Sequence, residues 1–502
     1  TSKFRLDTTN KFLASLADNQ FYMALGRPNA WTDDIPITPY ENDYTNKTLW
    51  ENMFAMKQIV STDIVHSSPR NQWTSGTTYV EYDDQDTDIE SKSYFVISEN
   101  NNVFMCLKAG TGTSTYNPDN IGVATTGVIN DQGAYTGTDG YIWKYMFTVP
   151  TSDVTKFLTS SFLPVRRIKE NPAVGSDAAL INQWSVQGSA IDGAIYNMKI
   201  TTAGTGYTSA PTLAIRGDGT AANGSGHATA TCTVSGGAIN SITMTDIGKN
   251  YTHATVTVTG GAGSNGAIRP VIGPVGGYGA DPTNDLRSHY VTINKAFTGD
   301  ETQTITDSND FRQLALIKNP IEQANQSATL SATPSMVVGN FYKILTLGTS
   351  TAANWVTAGT SDNTVGTVFK SIATTAPGTG TIAQVAEANA YNTCYKLTIA
   401  TGVTFAADAI IEGSDTGAKG QVVEYDATNG LLWYNQNETT GFIAFTTSDN
   451  IRLEGGSGGQ DCTAVAVPLI NHNSGDVMFV ENRTPTTRAT DQVETVRLVI
   501  AF

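Results

Sequence analysis

Residues 201–280 hold 17 of the chain's 47 glycines and only five charged side chains, Arg216, Asp218, Asp246, Lys249 and Arg269. Within this stretch "GTGYTSAPTLAIRG" at 204–217 and "GKNYTHATVTVTG" at 248–260 repeat one pattern at an offset of 44 residues. Each copy places a Gly-x-x-Tyr-Thr turn before alternating Thr, Val, Leu and Ile, which predicts a small all-β unit built from similar hairpins. The glycines do not recur at every third position, which excludes a collagen helix.

A second island, 331–466, is rich in Thr, Gly, Ser and Ala around strand-like runs such as "FYKILTLG", "KGQVVEYD" and "GLLWYNQ". Its recurring Tyr, Trp, Val, Ile and Leu supply too much apolar surface for a linker, so two β modules are expected, 331–388 and 389–466. The remainder is richer in aromatics and charge. It reads as one body in three parts, 1–200, 281–330 and 467–502, with 201–280 and the two later modules as outgrowths at surface loops. At 502 residues the chain exceeds one hydrophobic core, in keeping with several domains.

Two short helices are expected: 7–17, capped by Asp7 or Thr8, and 46–59, "NKTLWENMFAMKQI", with Leu49, Trp50, Met53, Phe54 and Met56 as its apolar side. "FYMALGRPNAW" reads as a strand running into an abrupt turn at Gly26, Arg27 and Pro28. "YFVISENNNVFMCLKAG" at 94–110 reads as two strands around an Asn-rich turn. In "DGYIWKYMFTVP", 139–150, Tyr141, Trp143, Tyr145, Phe147 and Val149 form a stripe that must be buried. The fold class expected is mainly β: a layered β-sandwich body with short helices, interrupted by small all-β inserted modules.

Asp and Glu outnumber Lys and Arg by 46 to 30, and no basic cluster exceeds "RRIK" at 166–169, so nucleic acid is not an expected partner. The N-terminal stretch lacks a signal-type apolar core and no segment reaches membrane-spanning length; no membrane association is expected, and the chain should be soluble until it meets its partners. Cys106, Cys232, Cys394 and Cys462 form no CxxC pair and read as buried free thiols.

Catalytic signatures are missing. The five histidines, His66, His227, His253, His289 and His472, include no short-spaced ligand pair. "DDQDTDIE" at 83–90 starts like a calcium loop, but Ile89 stands where glycine is needed and Phe95 where glutamate is needed, leaving a solvated acidic loop as the expectation. The glycines form neither a dinucleotide fingerprint nor a P-loop. No catalytic residue, metal or cofactor is assigned, and the chain is read as non-enzymatic.

"TSKF" at 1–4 with the "ALGRPNAW" turn, "DGYIWKYMFTVP" at 139–150, "FRQLALIKNP" at 311–320 and "MFVENRTPTTRATDQVETVRLVIAF" at 478–502 resemble, in this order, the baseplate wedge subunit family of T4-type contractile-tail phages, the gene-eight product. Phe311, Arg312, Gln313, Asn319 and Pro320 match the family's first pattern, and Glu481, Asn482, Arg483, Asp491, Gln492 and Glu494 its second. The resemblance covers a little over half the chain and leaves out the islands. It implies a homodimer in the virion's tail baseplate, formed first in the host cytoplasm, that contacts other wedge proteins including the large wedge-framework subunit. It also implies no catalytic residue. Family members carry residues ahead of the segment equivalent to "TSKF", and contacts of that arm are not expected here. The alternative is a host-receptor or glycan-binding tail module carried by the inserted β domains.

The final segment divides into a polar connection, 481–492, and a strand from Val493. Val496, Leu498, Ile500 and Phe502 fall on one face, and Thr495, Arg497 and Val499 on the other. This strand is expected to lie beside earlier strands of the body.

Overall fold

A computed structural model describes residues 2–30, 35–39, 42–120, 134–298, 305–306, 308–321, 327–330, 336, 338, 341–385 and 390–502. Thr1, Trp31 and the divide expected near residue 388 lie outside the described residues. The fold is a mixed one dominated by antiparallel sheets and includes a small β-barrel. It forms two compact units, Thr1–Lys11 with Val65–Thr292 and Leu498–Phe502, and Phe12–Ile64 with Ile293–Arg497. No helix among the described residues is long and apolar enough to cross a membrane.

The first helix spans Ser2–Ser15 and so begins ahead of the expected caps. Inside it the Thr8 and Thr9 hydroxyls donate back to the carbonyls of Phe4 and Arg5, each at 2.9 Å, a bond available only to residues already within a helix.

In the first unit a four-stranded sheet runs in the order Phe95–Ile97, Asn102–Lys108, Ile142–Thr148, Ala134–Thr136. The hairpin at 95–108 turns at Asn101, whose φ of 61° suits asparagine. Tyr141, Trp143 and Tyr145 bury against Tyr79, Val96, Phe104 and Cys106. Tyr141 stacks on Trp143 at 5.8 Å and 12°, and Tyr79 meets Trp143 edge-on. Phe147 and Val149 join a second cluster with Met105 and Met146. The aromatic stripe is therefore shared between two clusters, in a strand whose pairing with Asn102–Lys108 shifts register between Tyr145 and Phe147.

Asp285 ends the short helix Pro282–Asp285 and is fully buried, accepting from the Gly279 N–H at 2.7 Å. Burial pushes its carboxyl well above the ordinary range, and the Gly279 N–H only partly opposes this. The folded protein thus holds a proton that the unfolded chain releases, and this contribution to stability is lost as pH rises above the unfolded carboxyl pKa, about 3.9. Asp285→Asn keeps the acceptor without the ionisable group. Its thermal midpoint is expected to exceed that of the parent at pH 7 and to match it more closely at pH 4; equal offsets at both pH values would contradict this.

Residues 197–271 form six strands whose pairing follows the sequence repeat. Thr212–Gly217 of the first copy pairs antiparallel with Ala254–Thr259 of the second, from Thr212↔Thr259 to Gly217↔Ala254. The other strands pair in the same nested order: Asn197–Thr205 with Ser264–Val271, and Thr229–Ser235 with Ala238–Asp246 as a hairpin. Each strand of the first half thus pairs with one of the second, in three two-stranded sheets. The repeat residues hold equivalent places, for Tyr207 and Tyr251 are both buried, and each hydroxyl accepts a backbone N–H, from Gly266 at 3.2 Å and Ala228 at 2.8 Å. Gly204 and Gly248 have φ of 70° and 63°, and a Cβ on them would lie 2.7 and 2.6 Å from the Cε2 of Tyr207 and Tyr251. Alanine at either position is expected to cost more than about 1 kcal/mol, measurable by denaturant unfolding, with similar losses at the two sites.

The acidic stretch at 83–90 is not a free solvated loop. Asp83 is buried, accepts both oxygens' worth of bonds from Arg269 at 2.7 and 2.8 Å, and pairs with Lys199 at 2.8 Å. Burial alone would raise its carboxyl, but hydrogen bonds from Lys199, the Gln85 N–H and Arg269 outweigh it and hold the value at about 2. Asp86 pairs with Lys92 and Glu90 with Arg5. Lys199 and Arg269 sit on the paired strands 197–205 and 264–271, so partners far along the sequence neutralise charges that look solvated locally.

In the second unit a five-stranded sheet runs in the order Ala390–Asn392, Met53–Ile59, Phe21–Gly26, Asp310–Lys318, Asp476–Thr487. The helix expected at 46–59 spans Asp43–Asn52, with Asn42 accepting from the Thr45 N–H, and gives way to the strand Met53–Ile59. Met53, Phe54, Ala55 and Met56 are consecutive and all buried; a strand covered on both faces accommodates such a run, whereas a helix would turn part of it outward. A second sheet runs Ser327–Thr329, Thr381–Val385, Phe341–Thr346, Val368–Lys370, with the helix Ala352–Ala358 contributing the buried Trp355 to its core. Tyr395–Ile399, Leu431–Asn435, Lys419–Asp426, Ile410–Gly413, Asn450–Leu453 and Gln460–Ala466 close in that order into a barrel, which leaves no free sheet edge. All four cysteines are free and buried.

Candidate interaction site at the C-terminal strands

Asp310–Lys318 lies between Phe21–Gly26 and Asp476–Thr487, and its residues 311–317 are buried. This pairing brings together the two segments singled out in the sequence. Gln313 stands opposite Asn482 and donates from Nε2 to its Oδ1 at 2.7 Å, while Asn482 Nδ2 donates to the Ile37 carbonyl at 2.8 Å. Phe311 faces Thr486 and Leu314 faces Glu481.

Arg312 is buried and donates to the Pro28 carbonyl and to Asp310 Oδ2. It fixes the turn after Gly26, where Arg27 has a φ of 54°. Burial, then the charge of Arg312, holds the Arg27 guanidinium below its ordinary range. Asn319 takes a φ of 50°, donates its N–H to the Gln20 carbonyl at 2.8 Å, accepts the Gln20 N–H at 2.8 Å and reaches Asn19 through Nδ2. An asparagine tolerates that backbone and answers the Gln20 backbone with its own side chain. Pro320, buried beside it, lacks an N–H with which to continue the ladder.

The connection expected at 481–492 is shorter than the sequence suggested. Strand pairing continues to Thr487, through Pro485, and the turn to the last strand, Val493–Ala501, occupies only 488–492. Pro485 is tolerated because this strand is the outer member of its sheet, where a missing donor breaks no central ladder. Glu481 and Arg483 form no ion pair with each other among the described residues, and Arg483 Nε is buried without a partner. Asp491 and Gln492 are exposed at the turn, where the Gln492 N–H donates to the Ala489 carbonyl at 3.0 Å.

Glu494 meets a residue that the sequence reading passed over. Arg488 is fully buried, donates from Nε to Glu494 Oε2 at 2.9 Å and also donates to the Thr306 carbonyl. Its N–H meets the Asn309 carbonyl at 3.0 Å, and the Thr487 hydroxyl bonds Asp310 Oδ1 at 2.7 Å. The one available signal was an arginine six residues ahead of a glutamate in a chain with few charges.

Val493–Ala501 is the outer member of a sheet in the order Val493–Ala501, Tyr290–Thr298, Ile64–Pro69, Phe162–Val165. Val496 is buried; Leu498, Ile500 and Phe502 are half-buried on the expected face, and Val499 is half-buried on the other. Both C-terminal strands are thus sheet edges among the described residues, with Met478 51% and Val493 61% exposed along them. Such edges offer backbone donors and acceptors together with apolar side chains, which is equipment for pairing with another chain. Among the described residues no group of three or more His, Cys, Asp or Glu could hold a metal ion. No family model matches the chain, and no curated protein matches it.

Proposed function

We propose that the chain is a structural subunit of a contractile-tail baseplate wedge, a non-catalytic layered β protein that acts as a homodimer and joins other wedge proteins. The observation that carries this reading is the strand pair itself. The residues that resemble the wedge family, Gln313 and Asn482, lie 169 positions apart and form one hydrogen-bonded cross-strand pair. Around them Arg312, Asn319 and Pro320 set the corners of the same sheet. A protein that holds its shape while neighbouring contacts change suits a baseplate, where rigid parts move as bodies. Dimerisation would make one interface permanent and leave others exchangeable.

The reading predicts that the chain, co-expressed with the wedge proteins of its own tail and carrying an affinity tag, purifies with them in fixed ratio. Recovery of the chain alone under conditions where the other wedge proteins assemble would overturn it.

A further inference from the structure

We infer that Arg287 binds a carboxylate group in a cavity walled by the first helix, the stretch 88–95 and residues 286–290. The cavity has a volume of about 430 Å³, and its lining includes Arg5, Asn71, Asp88, Glu90, Arg287 and His289, all within the first compact unit. In the described lining three cationic side chains, Arg5, Lys92 and Arg287, stand against two carboxylates, Asp88 and Glu90. This is a local surplus of positive charge in a chain whose net charge is -16.

The surplus falls on Arg287. Arg5 donates to Glu90 Oε2, and Lys92 pairs with Asp86 at 2.5 Å. Asp88 is exposed to water and accepts the Ser91 hydroxyl at 2.8 Å. The half-buried Arg287 guanidinium makes no hydrogen bond or ion pair with any described residue. Asp285 brings it no charge, since burial keeps that carboxyl protonated. A second donor is unanswered in the same wall. Nε2 of the buried His289 lies 3.1 Å from Arg5 Nη1, and a guanidinium only donates, so Nε2 accepts and the proton of the neutral ring sits on Nδ1. That Nδ1 is buried without a partner. The described lining is therefore short of acceptors.

The backbone presents Arg287 at a cost. It follows the helix Pro282–Asp285 with a φ of 51°, a left-handed conformation that is uncommon for a long side chain and easy for glycine. The turn is held by the Arg287 N–H, which donates to the Asn284 carbonyl at 3.1 Å, and by the His289 N–H, which donates to the Arg287 carbonyl at 2.8 Å. Strain of this kind gathers at ligand-binding positions, and an arginine placed where glycine would be relaxed points to a use for its guanidinium. One unanswered guanidinium calls for one negative charge, and its planar fork matches the two oxygens of a carboxylate. A phosphate dianion would bring a second charge toward Asp88 and Glu90, which repel it. A free acid and an Asp or Glu side chain of a partner offer the same chemistry. The inference does not rest on the wedge role: a chain that binds carboxylates but joins no baseplate would refute that role alone.

The test is saturation-transfer NMR on the whole chain with propionate, its neutral analogue propionamide and a capped tripeptide whose central residue is glutamate. Transfer to propionate and not to propionamide is expected, with affinity weakened about tenfold or more by Arg287→Gly. That variant relaxes the backbone, so its thermal midpoint should equal or exceed the parent's, which separates lost binding from lost folding. Transfer to the peptide identifies an acidic side chain of a partner as the source of the carboxylate, and transfer to propionate alone identifies a free acid. No transfer to propionate or peptide, binding unchanged in folded Arg287→Gly, or displacement of propionate by inorganic phosphate at a lower concentration than by acetate overturns the inference.

Discussion

Arg488→Ala is expected to destabilise the second unit by about 3–5 kcal/mol, the usual consequence of removing one partner from a buried ion pair. The guanidinium is fully buried against Glu494 and the Thr306 carbonyl, so its loss leaves the Glu494 carboxylate uncompensated and opens a cavity. The pair is not an efficient source of stability, since Arg488 Nη2 and Glu494 Oε1 each lack a partner. Arg488→Met combined with Glu494→Leu should therefore recover most of the loss, because apolar side chains of similar volume need no partners. Denaturant unfolding of Arg488→Met, Glu494→Leu and the double variant measures the coupling. Additive losses would show that Arg488 and Glu494 do not act as a pair.

The second large effect concerns the last strand. A chain ending after Gln492 is expected to be recovered almost entirely as aggregate, against a soluble parent, when the soluble fraction and light scattering are compared. The truncation uncovers the edge of Tyr290–Thr298, whose residues 291–295 are all buried. A long unpaired strand edge is a template for pairing with other chains. It also removes Glu494 and leaves Arg488 buried with an unmatched charge. A soluble truncated chain with the parent's thermal midpoint would show that Val493–Ala501 is dispensable to the fold.

What the sequence disclosed was mostly local. The Gly-x-x-Tyr-Thr repeat, the hairpin at 95–108, the aromatic strand at 142–148 and the buried free cysteines each rest on spacing within a few residues, and each has its counterpart in the structure. The two repeat copies were visible, but their pairing with each other was not, since nothing near residue 200 specifies a partner near 267. Helix and strand were confused at Met53–Ile59 because a short apolar run fits either, and the choice was made by neighbours at 21–26 and 390–392.

The candidate site divides in the same way. Asn319 and Pro320 entered the sequence reading only as positions of the resemblance, and the structure shows that they form a corner. The bond between Gln313 and Asn482 and the pairing of Arg488 with Glu494 needed the register of strands far apart in sequence. Polarity misled twice. Residues 481–487 looked like a connection and are half of an edge strand, while Asp83 looked solvated and is buried against Arg269 and Lys199. A polar sequence is compatible with an edge strand, where backbone pairing on one side suffices, and a charge can be buried when a distant partner meets it.

The proposed wedge role is tested most directly by a cryo-EM density map of contractile tails purified through a tag on the chain. The assignment predicts two copies of the chain together in each peripheral wedge, with density for the barrel 395–466 and the repeat module 197–271. A complete baseplate map whose wedges hold no density for the chain would contradict it.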